Sequence, residues 1–468
     1  MTTRSQALRR FAAGLGIAAL TAIGALAAAP AATAADAPSP SNIQGTTGTL
    51  TIHKHAGDPG AAGNGTQITD PAAQAALGQG LDGVVFSVQR VSYNGTPIDL
   101  TTAQGWDQAK GATPASVAAS PYSLVTQTTA TTAGGGVAVV PNLPYGLYLV
   151  TETSPGTNPI VSPVQPFLVS VPYPNQGDWL YNVHVYPKNK LNTTNPEKTV
   201  AAPEAPVLGS KIVWTITTPI PAIAAGDTYR SFSITDNLDA RLTYTGAVVK
   251  IDGTTLTEGT DYTVSGNTKI TFTPTGLGKL AGKTTVTADI STTVTSLGAD
   301  GKITNTAVVN TNDSERTTNP AQTNWGPLKV VKKDAATGRT LTGAIFEVYD
   351  AKNGTKVAGP LTTNNAGEIL VDGLWVGNGS TLTKDYWLKE TQAPAGYVLP
   401  ADPWTKVTVQ AAGTASPTSI DVPNTQQTGP NLPLTGGAGS VLFTVVGAGL
   451  VAVGIGAIVL RRARAKRQ

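Results

Sequence analysis

What most limits the fold of this chain is the length and rhythm of its apolar runs. They are short, they alternate with polar residues, and Gly, Pro, Asn or Asp bounds each one. The clearest are Thr49 to His53, Val84 to Val91, Leu147 to Glu152, Ile212 to Thr217, Thr284 to Ile290, Ala344 to Tyr349 and Lys406 to Gln410. A period of two sends alternate side chains to opposite faces of a strand and cannot supply the stripe a helix needs. Together with abundant Thr, Val and Gly, this predicts an all-β chain built of sandwiches. Two helix-compatible stretches, around Pro71 to Leu77 and Trp106 to Lys110, are short and belong in crossover loops.

There is no cysteine. Disulfides, thiol catalysis and cysteine metal sites are therefore excluded, and any covalent reinforcement must come from other side chains. The three histidines are His53, His55 and His184. His53 and His55 would share one strand face, but no third ligand is near in sequence, so neither a metal nor another cofactor is expected. The formal charge is +3, yet Arg4, Arg9, Arg10 and the basic residues from Arg461 to Arg467 more than account for it. The remainder is mildly acidic and carries no basic patch for nucleic acid. No Gly-x-Ser-x-Gly elbow or Ser-His-Asp arrangement stands out, which disfavours an exported hydrolase.

The two ends are distinctive. Arg4, Arg9 and Arg10 precede an apolar stretch from Phe11 to Ala29 and the small residues Ala32-Thr33-Ala34-Ala35, the order of a secretory signal peptide over residues 1–35. At the far end, Leu432-Pro433-Leu434-Thr435-Gly436 precedes an uncharged run from Ala438 to Leu460 and a basic tail. As a helix, that run could cross a hydrocarbon core about 30 Å thick, with the basic tail on the cytoplasmic side. Motif, span and tail resemble the cell-wall sorting signal of Gram-positive surface proteins. The resemblance implies that a sortase cuts Thr435–Gly436 and passes the Thr435 carbonyl to an amine.

Polar breaks at 189–196 and 319–327 divide the rest into 36–190, 191–326 and 327–425, with 426–468 forming the linker and sorting region. The outer parts repeat weakly. Leu50-Thr51-Ile52-His53-Lys54 parallels Leu328-Lys329-Val330-Val331-Lys332, and Tyr148-Leu149-Val150-Thr151-Glu152 parallels Tyr386-Trp387-Leu388-Lys389-Glu390. The pattern resembles the tandem immunoglobulin-like stalk domains of collagen adhesins, CnaB-like, CnaA-like and CnaB-like in order.

Two further motifs narrow the family. Trp179 to Asn189 fits the pilin motif WxxxVxVYPKN at every fixed position. Pro187 should stop a last strand there, leaving Lys188 at a strand end beside a domain joint. Tyr386 to Tyr397 fits the pilin E-box, YxLxETxAPxGY, without departure. Alternation puts Leu388 and Glu390 on one buried face, where an unpaired carboxyl would be driven to its protonated form. The chain thus resembles the backbone subunits of sortase-assembled pili. That resemblance implies that Lys188 of one subunit receives Thr435 of the next, through a class C pilus sortase. It also implies identical subunits and minor or tip pilins as partners, with a housekeeping sortase joining the base to peptidoglycan.

In the same family an acid assists a neutral Lys to displace ammonia from an Asn. The resemblance implies Lys329, Glu390 and Asn424 in the last domain, with Lys332 the rival amine, placed on the opposite strand face by its odd spacing. It implies Lys198, Asp236 and Asn305 in the middle domain. Lys54, Glu152 and Asn189 are a possible third set, although Thr153 is followed by Ser154-Pro155-Gly156 rather than the full E-box. The alternative reading is a monomeric wall-anchored adhesin, which would share the sorting signal and the stalk but would not need Lys188.

Overall fold

The computed structural model describes residues 39–266, 268–429 and 438–465. The expected signal peptide and the segment Leu432 to Gly436, Thr435 included, lie outside the described residues. All seven alternating runs lie in strands or overlap one closely: Thr47–His53, Val85–Tyr93, Gly146–Ser154, Lys211–Pro219, Thr285–Val294, Ile345–Tyr349 and Trp404–Gln410. The two helix-compatible stretches are the helices Pro71–Ala76 and Ala103–Lys110.

In the first sandwich, Thr47–His53 lies between Asn182–Val185, parallel, and Val137–Pro144, antiparallel. The facing sheet is built on Val85–Tyr93 and Gly146–Ser154. Leu50, Ile52, Phe86, Val88, Tyr148 and Val150 fill the space between. A second apolar cluster lies on the far side of that sheet, where Val91, Leu147 and Leu149 are covered by the segment bearing helix Ala103–Lys110. Thr102 caps this helix by accepting from the Gly105 amide at 3.1 Å.

The middle sandwich faces the sheet Glu197–Val200, Lys211–Pro219, Thr285–Val294, Leu242–Ile251, Thr254–Thr255 against a second one centred on Phe232–Asp236. Strand Thr285–Val294 alternates buried and half-buried residues without a break. The last sandwich sets Lys356–Thr362, Ile345–Tyr349, Thr383–Gln392 and Trp404–Gln410 against a sheet centred on Ala321–Asp334.

Both expected breaks are structured. The stretch 319–327 is no loose linker, because one strand, Ala321–Asp334, runs through it. Its first residues pair with Lys302–Asn305 of the middle sandwich, and the rest pairs with Glu368–Asn378 and Thr418–Gln426 of the last. Trp325, fully buried, packs in the middle core, and a register shift between Gly326 and Leu328 accommodates Pro327. At 189–196 the chain is again held. Pro187 interrupts the strand rather than ending it, since pairing resumes in Lys188–Leu191. Asn189 and Asn192 are buried, and Ser162 donates across the joint to Asp227 at 2.6 Å.

The C-terminal helix spans Ala438–Ala465. Among the described residues no helix is long and apolar enough to cross a membrane. Where side chains are placed, Leu450, Val453 and Leu460 stand exposed.

Trp325→Ala should cost about 3–5 kcal/mol through loss of buried volume. Because its strand serves two sandwiches, calorimetry should show the unfolding of both shifted to lower temperature.

Candidate functional site

Each sandwich buries one lysine beside one carboxyl and one asparagine. In the last sandwich, Leu328, Val330 and Lys332 alternate into the core from strand Ala321–Asp334. Glu390 enters from Thr383–Gln392 in phase with Tyr386 and Leu388, and Asn424 from Thr418–Gln426 in phase with Val422. Lys332 is fully buried, with Nζ 3.0 Å from Glu390 Oε2, and it donates to Asn424 Oδ1 at 2.5 Å. Asn424 Nδ2 donates to Glu390 Oε1 at 2.7 Å. The carboxyl therefore bridges amine and amide nitrogen, rather than meeting the amide oxygen.

This corrects the choice of Lys329. Lys329 lies on the outer face, about one-third exposed, in an ion pair with Glu368 at 2.6 Å. The physical reason is strand phase. Leu328 and Val330 are the apolar partners of the core, so Lys332, two residues on, must follow them inward. The repeat carried the same signal, because it sets Lys332 opposite Lys54.

In the first sandwich, Lys54 Nζ lies 2.9 Å from Glu152 Oε2 and also donates to Asn189 Oδ1. Asn189 Nδ2 donates to both Glu152 oxygens, at 2.8 and 2.9 Å. The Val164 amide donates to Asn189 Oδ1 at 2.7 Å, which fixes the amide's orientation and polarises its carbonyl. No sequence pattern pointed to Val164. The turn over Lys54 requires Gly136, whose φ is +89°, since a Cβ there would sit 2.2 Å from the Lys54 carbonyl oxygen.

The middle sandwich brings Lys198, Asp236 and Asn305 together by another route. Lys198 and Asp236 are 2.6 Å apart and fully buried. Lys198 enters from Glu197–Val200, whose backbone the Asn319 side chain clamps with two hydrogen bonds of 2.9 Å. The ion-pair contact lacks hydrogen-bond alignment, and both polar atoms of the Asn305 amide are unpartnered.

Burial dominates the electrostatics. It pushes Lys54 down to about 8 and lowers Lys198 and Lys332, against the opposing pull of the neighbouring carboxyls. Burial likewise raises Asp236, opposed chiefly by the Lys198 charge and less by the nearby Asn305 amide. In each pocket burial thus favours the neutral amine, and in the middle one it also favours the protonated form of Asp236. The three ammonium nitrogens also lie 5.6–5.7 Å from the ring centroids of Phe86, Trp214 and Phe346. These rings wall off water. In the two outer sandwiches an amine in contact with an amide, with a carboxyl touching both nitrogens, is arranged for amide exchange with release of ammonia.

Lys188 faces the other way. Alternation sends Asn189 inward and leaves Lys188 half-exposed, opposite His55 in the short parallel pairing. Its tip lies beside Gly57, and it makes no ion pair among the described residues. The fixed residues of its motif are structural: Val183 is core, Trp179 packs on Trp106, and Tyr186 stacks on His53 with centroids 4.5 Å apart.

The histidines differ from expectation. His53 pairs with His184 rather than with His55, ring nitrogen to ring nitrogen at 2.9 Å. Burial, then the two other histidines, lowers His53 to about 4. Among the described residues no group of three or more His, Asp or Glu is placed to hold a metal.

Known proteins match along most of the chain. Residues 45–190 match the Gram-positive pilin subunit D1 N-terminal domain, and 193–324 the Sgo0707 N2 domain. Residues 326–423 match a prealbumin-like fold domain, and 424–466 the LPXTG cell wall anchor motif. The chain is 32% identical to fimbrial subunit type 2 of Actinomyces naeslundii, covering 90% of each chain. It is 30% identical to fimbrial subunit type 1 of Actinomyces viscosus, covering 94% of this chain and 96% of that one. The solved full-length major pilin SpaD of Corynebacterium diphtheriae superposes with a TM-score of 0.59 at 31% identity, over 82% of this chain and 98% of that one.

The two lysines of strand Ala321–Asp334 should behave differently in chemical denaturation. Lys329→Gln loses an exposed pair and should cost under about 1 kcal/mol. Lys332→Gln strands Glu390 in the core and should cost about 3–5 kcal/mol.

Proposed function

The chain belongs to the family of Gram-positive fimbrial subunits, and on that premise we propose how its subunits are joined and internally bonded. It is a structural subunit of a pilus anchored to the cell wall at the cell surface. The apolar helix holds the precursor in the membrane, where a class C sortase thiolate attacks the Thr435 carbonyl and releases the Gly436 amine. The Lys188 amine of the next subunit then displaces the thiolate, and Thr435 becomes linked to Lys188 by an amide. A housekeeping sortase transfers the finished base to peptidoglycan, and minor pilins cap the tip. The observation that carries this reading is the coexistence in one chain of LPLTG and the Lys188 motif.

Within each subunit, Lys332 with Asn424, Lys198 with Asn305 and Lys54 with Asn189 form amides, and each loses one ammonia. Glu390, Asp236 and Glu152 are the assisting acids, moving a proton from the amine to the departing nitrogen. The chemistry is confined to the chain itself; no external substrate is turned over. Each bond closes a loop of roughly 90 to 140 residues and removes about 4–5 kcal/mol of denatured-state entropy, by analogy with a disulfide.

The mature protein should be lighter than its sequence mass by about 17 Da per bond, for three bonds, and Glu390→Ala, Asp236→Ala and Glu152→Ala should each restore one increment. An unshifted wild-type mass refutes internal bonding. The pH dependence has a definite sign. Attack and departure of ammonia require one proton shared within the reacting trio, and burial lowers Lys54 to about 8, so raising pH through about 8 strips that proton. Bond formation in chain freshly released from denaturant should therefore proceed at pH 7 and slow about tenfold per unit above 8.

Lys188→Ala should abolish the ladder of boiling-resistant multimers while leaving a folded monomer. A persisting ladder means that another lysine is the acceptor. Its absence from the wild type would favour the monomeric adhesin.

A further inference from the structure

The outer face of the last sandwich carries residues that neither its core nor its triad uses. Tyr386, Leu388 and Glu390 point inward from Thr383–Gln392, so Trp387 and Lys389 point out. Register sets Tyr349 and Lys406 on either side of Trp387, and Glu347 and Trp404 on either side of Lys389. Three aromatic rings thus stand half-buried on the solvent side of a sheet. Tyr349 and Trp404 meet edge to face with centroids 4.9 Å apart. Lys352 lies 5.7 Å from the Trp387 ring and Lys389 5.2 Å from that of Trp404.

The carboxylates of this face are already engaged. Glu347 accepts from Tyr349 at 2.7 Å and pairs with Lys356 at 3.2 Å. Asp385 pairs with Lys406 at 2.7 Å, and Asp402 with Lys352 at 2.8 Å. Lys389 forms no ion pair or hydrogen bond among the described residues, though it stands beside Glu347 and helps lower that carboxyl; with Lys352, Lys356 and Lys406 paired to Asp402, Glu347 and Asp385, its charge leaves the patch net positive by one.

The first sandwich shows the same face covered. Glu152 stands opposite Phe86 there as Glu390 stands opposite Phe346. The chain between Val85–Tyr93 and Tyr122–Thr131 carries helix Ala103–Lys110, and Trp106 packs over the outward Leu147 and Leu149. In the last sandwich the corresponding connection, from Tyr349 to Lys356, is only a turn. Its outward residues have become amphipathic aromatics and lysines, suited to a wet partner rather than to a permanent cover.

We propose that this face binds an acidic carbohydrate, a glycan bearing uronate-type carboxylates. The strands Ile345–Tyr349 and Thr383–Gln392, which carry Tyr349, Trp387 and Lys389, are paired on both edges, so a peptide could add no strand beside these three residues. Recognition must come from flat ring faces and charges. A pyranose presents C–H groups to Trp387 and Tyr349, its hydroxyls meet the lysine–carboxylate pairs, and its carboxylate neutralises Lys389. The inference does not depend on how subunits are joined.

The test is titration of the mature protein with oligogalacturonate, followed by tryptophan fluorescence and calorimetry. Saturable binding is expected, weakened about tenfold or more by Trp387→Ala and by Lys389→Ala. Reduction of the sugar carboxyls to alcohols should weaken it similarly. Both variants should keep the wild-type melting temperature and the mass increment removed by Glu390→Ala, since the triad lies on the opposite face. No saturable binding, or binding indifferent to both substitutions, overturns the proposal. So does equal competition by polyglutamate, which would identify a site for anionic peptides.

Discussion

Three times along this chain a lysine is carried into an apolar core, and everything near it is arranged around that cost. A lone ammonium cannot remain charged there, and a lone carboxyl cannot either. Set together, they can share a proton, and in the outer sandwiches an asparagine amide completes the set by giving each a polar neighbour. The aromatic ring beside each nitrogen, Phe86, Trp214 or Phe346, keeps water from restoring the charged forms. The burial that would be a liability in an ordinary core here favours the neutral amine, the form the proposed bond formation requires.

The outer sandwiches solve this problem identically. Phe86 opposes Glu152 and Phe346 opposes Glu390, each next to an irregularity in the pairing. The lysine comes from a strand that pairs in parallel with the chain carrying the asparagine. The middle sandwich reaches the same trio from different strands, with the acid on Phe232–Asp236 and the lysine on Glu197–Val200. Only in the first does a backbone amide, that of Val164, also hold the asparagine oxygen. The chemistry is thus set by the local trio and not by one topology, in keeping with sites grafted on folds.

Much of this was legible in the residues. Alternation located the strands because each sandwich buries one face of each sheet, and the E-box placed Glu390 inward by the same rule. The error over Lys329 came from reading opposite faces correctly and assigning the core to the wrong one, when Leu328 and Val330 already fixed it. The polar stretches 189–196 and 319–327 read as linkers because buried asparagines look like exposed ones in sequence; Asn189 and Asn192 are buried. Val164 and the pairing of His53 with His184 depend on contacts between distant segments, which no local pattern encodes.

The continuous strand Ala321–Asp334 has a mechanical meaning once the proposed amides are drawn along the chain. Pulling force that enters at Lys188 and leaves toward Thr435 would cross the middle unit through Lys198–Asn305 and the last through Lys332–Asn424. The first sandwich would lie beside this line, its Lys54–Asn189 link serving to keep it attached rather than to bear load. Between Asn305 and Lys332 the force has only main chain to follow. That stretch holds the hairpin Ala307–Thr311 with Ser314–Thr317, then the strand shared by two sandwiches. Its hydrogen bonds and the wedge of Trp325 would form a folded reserve between two bonded units, able to lengthen under strain and recover with every covalent joint intact.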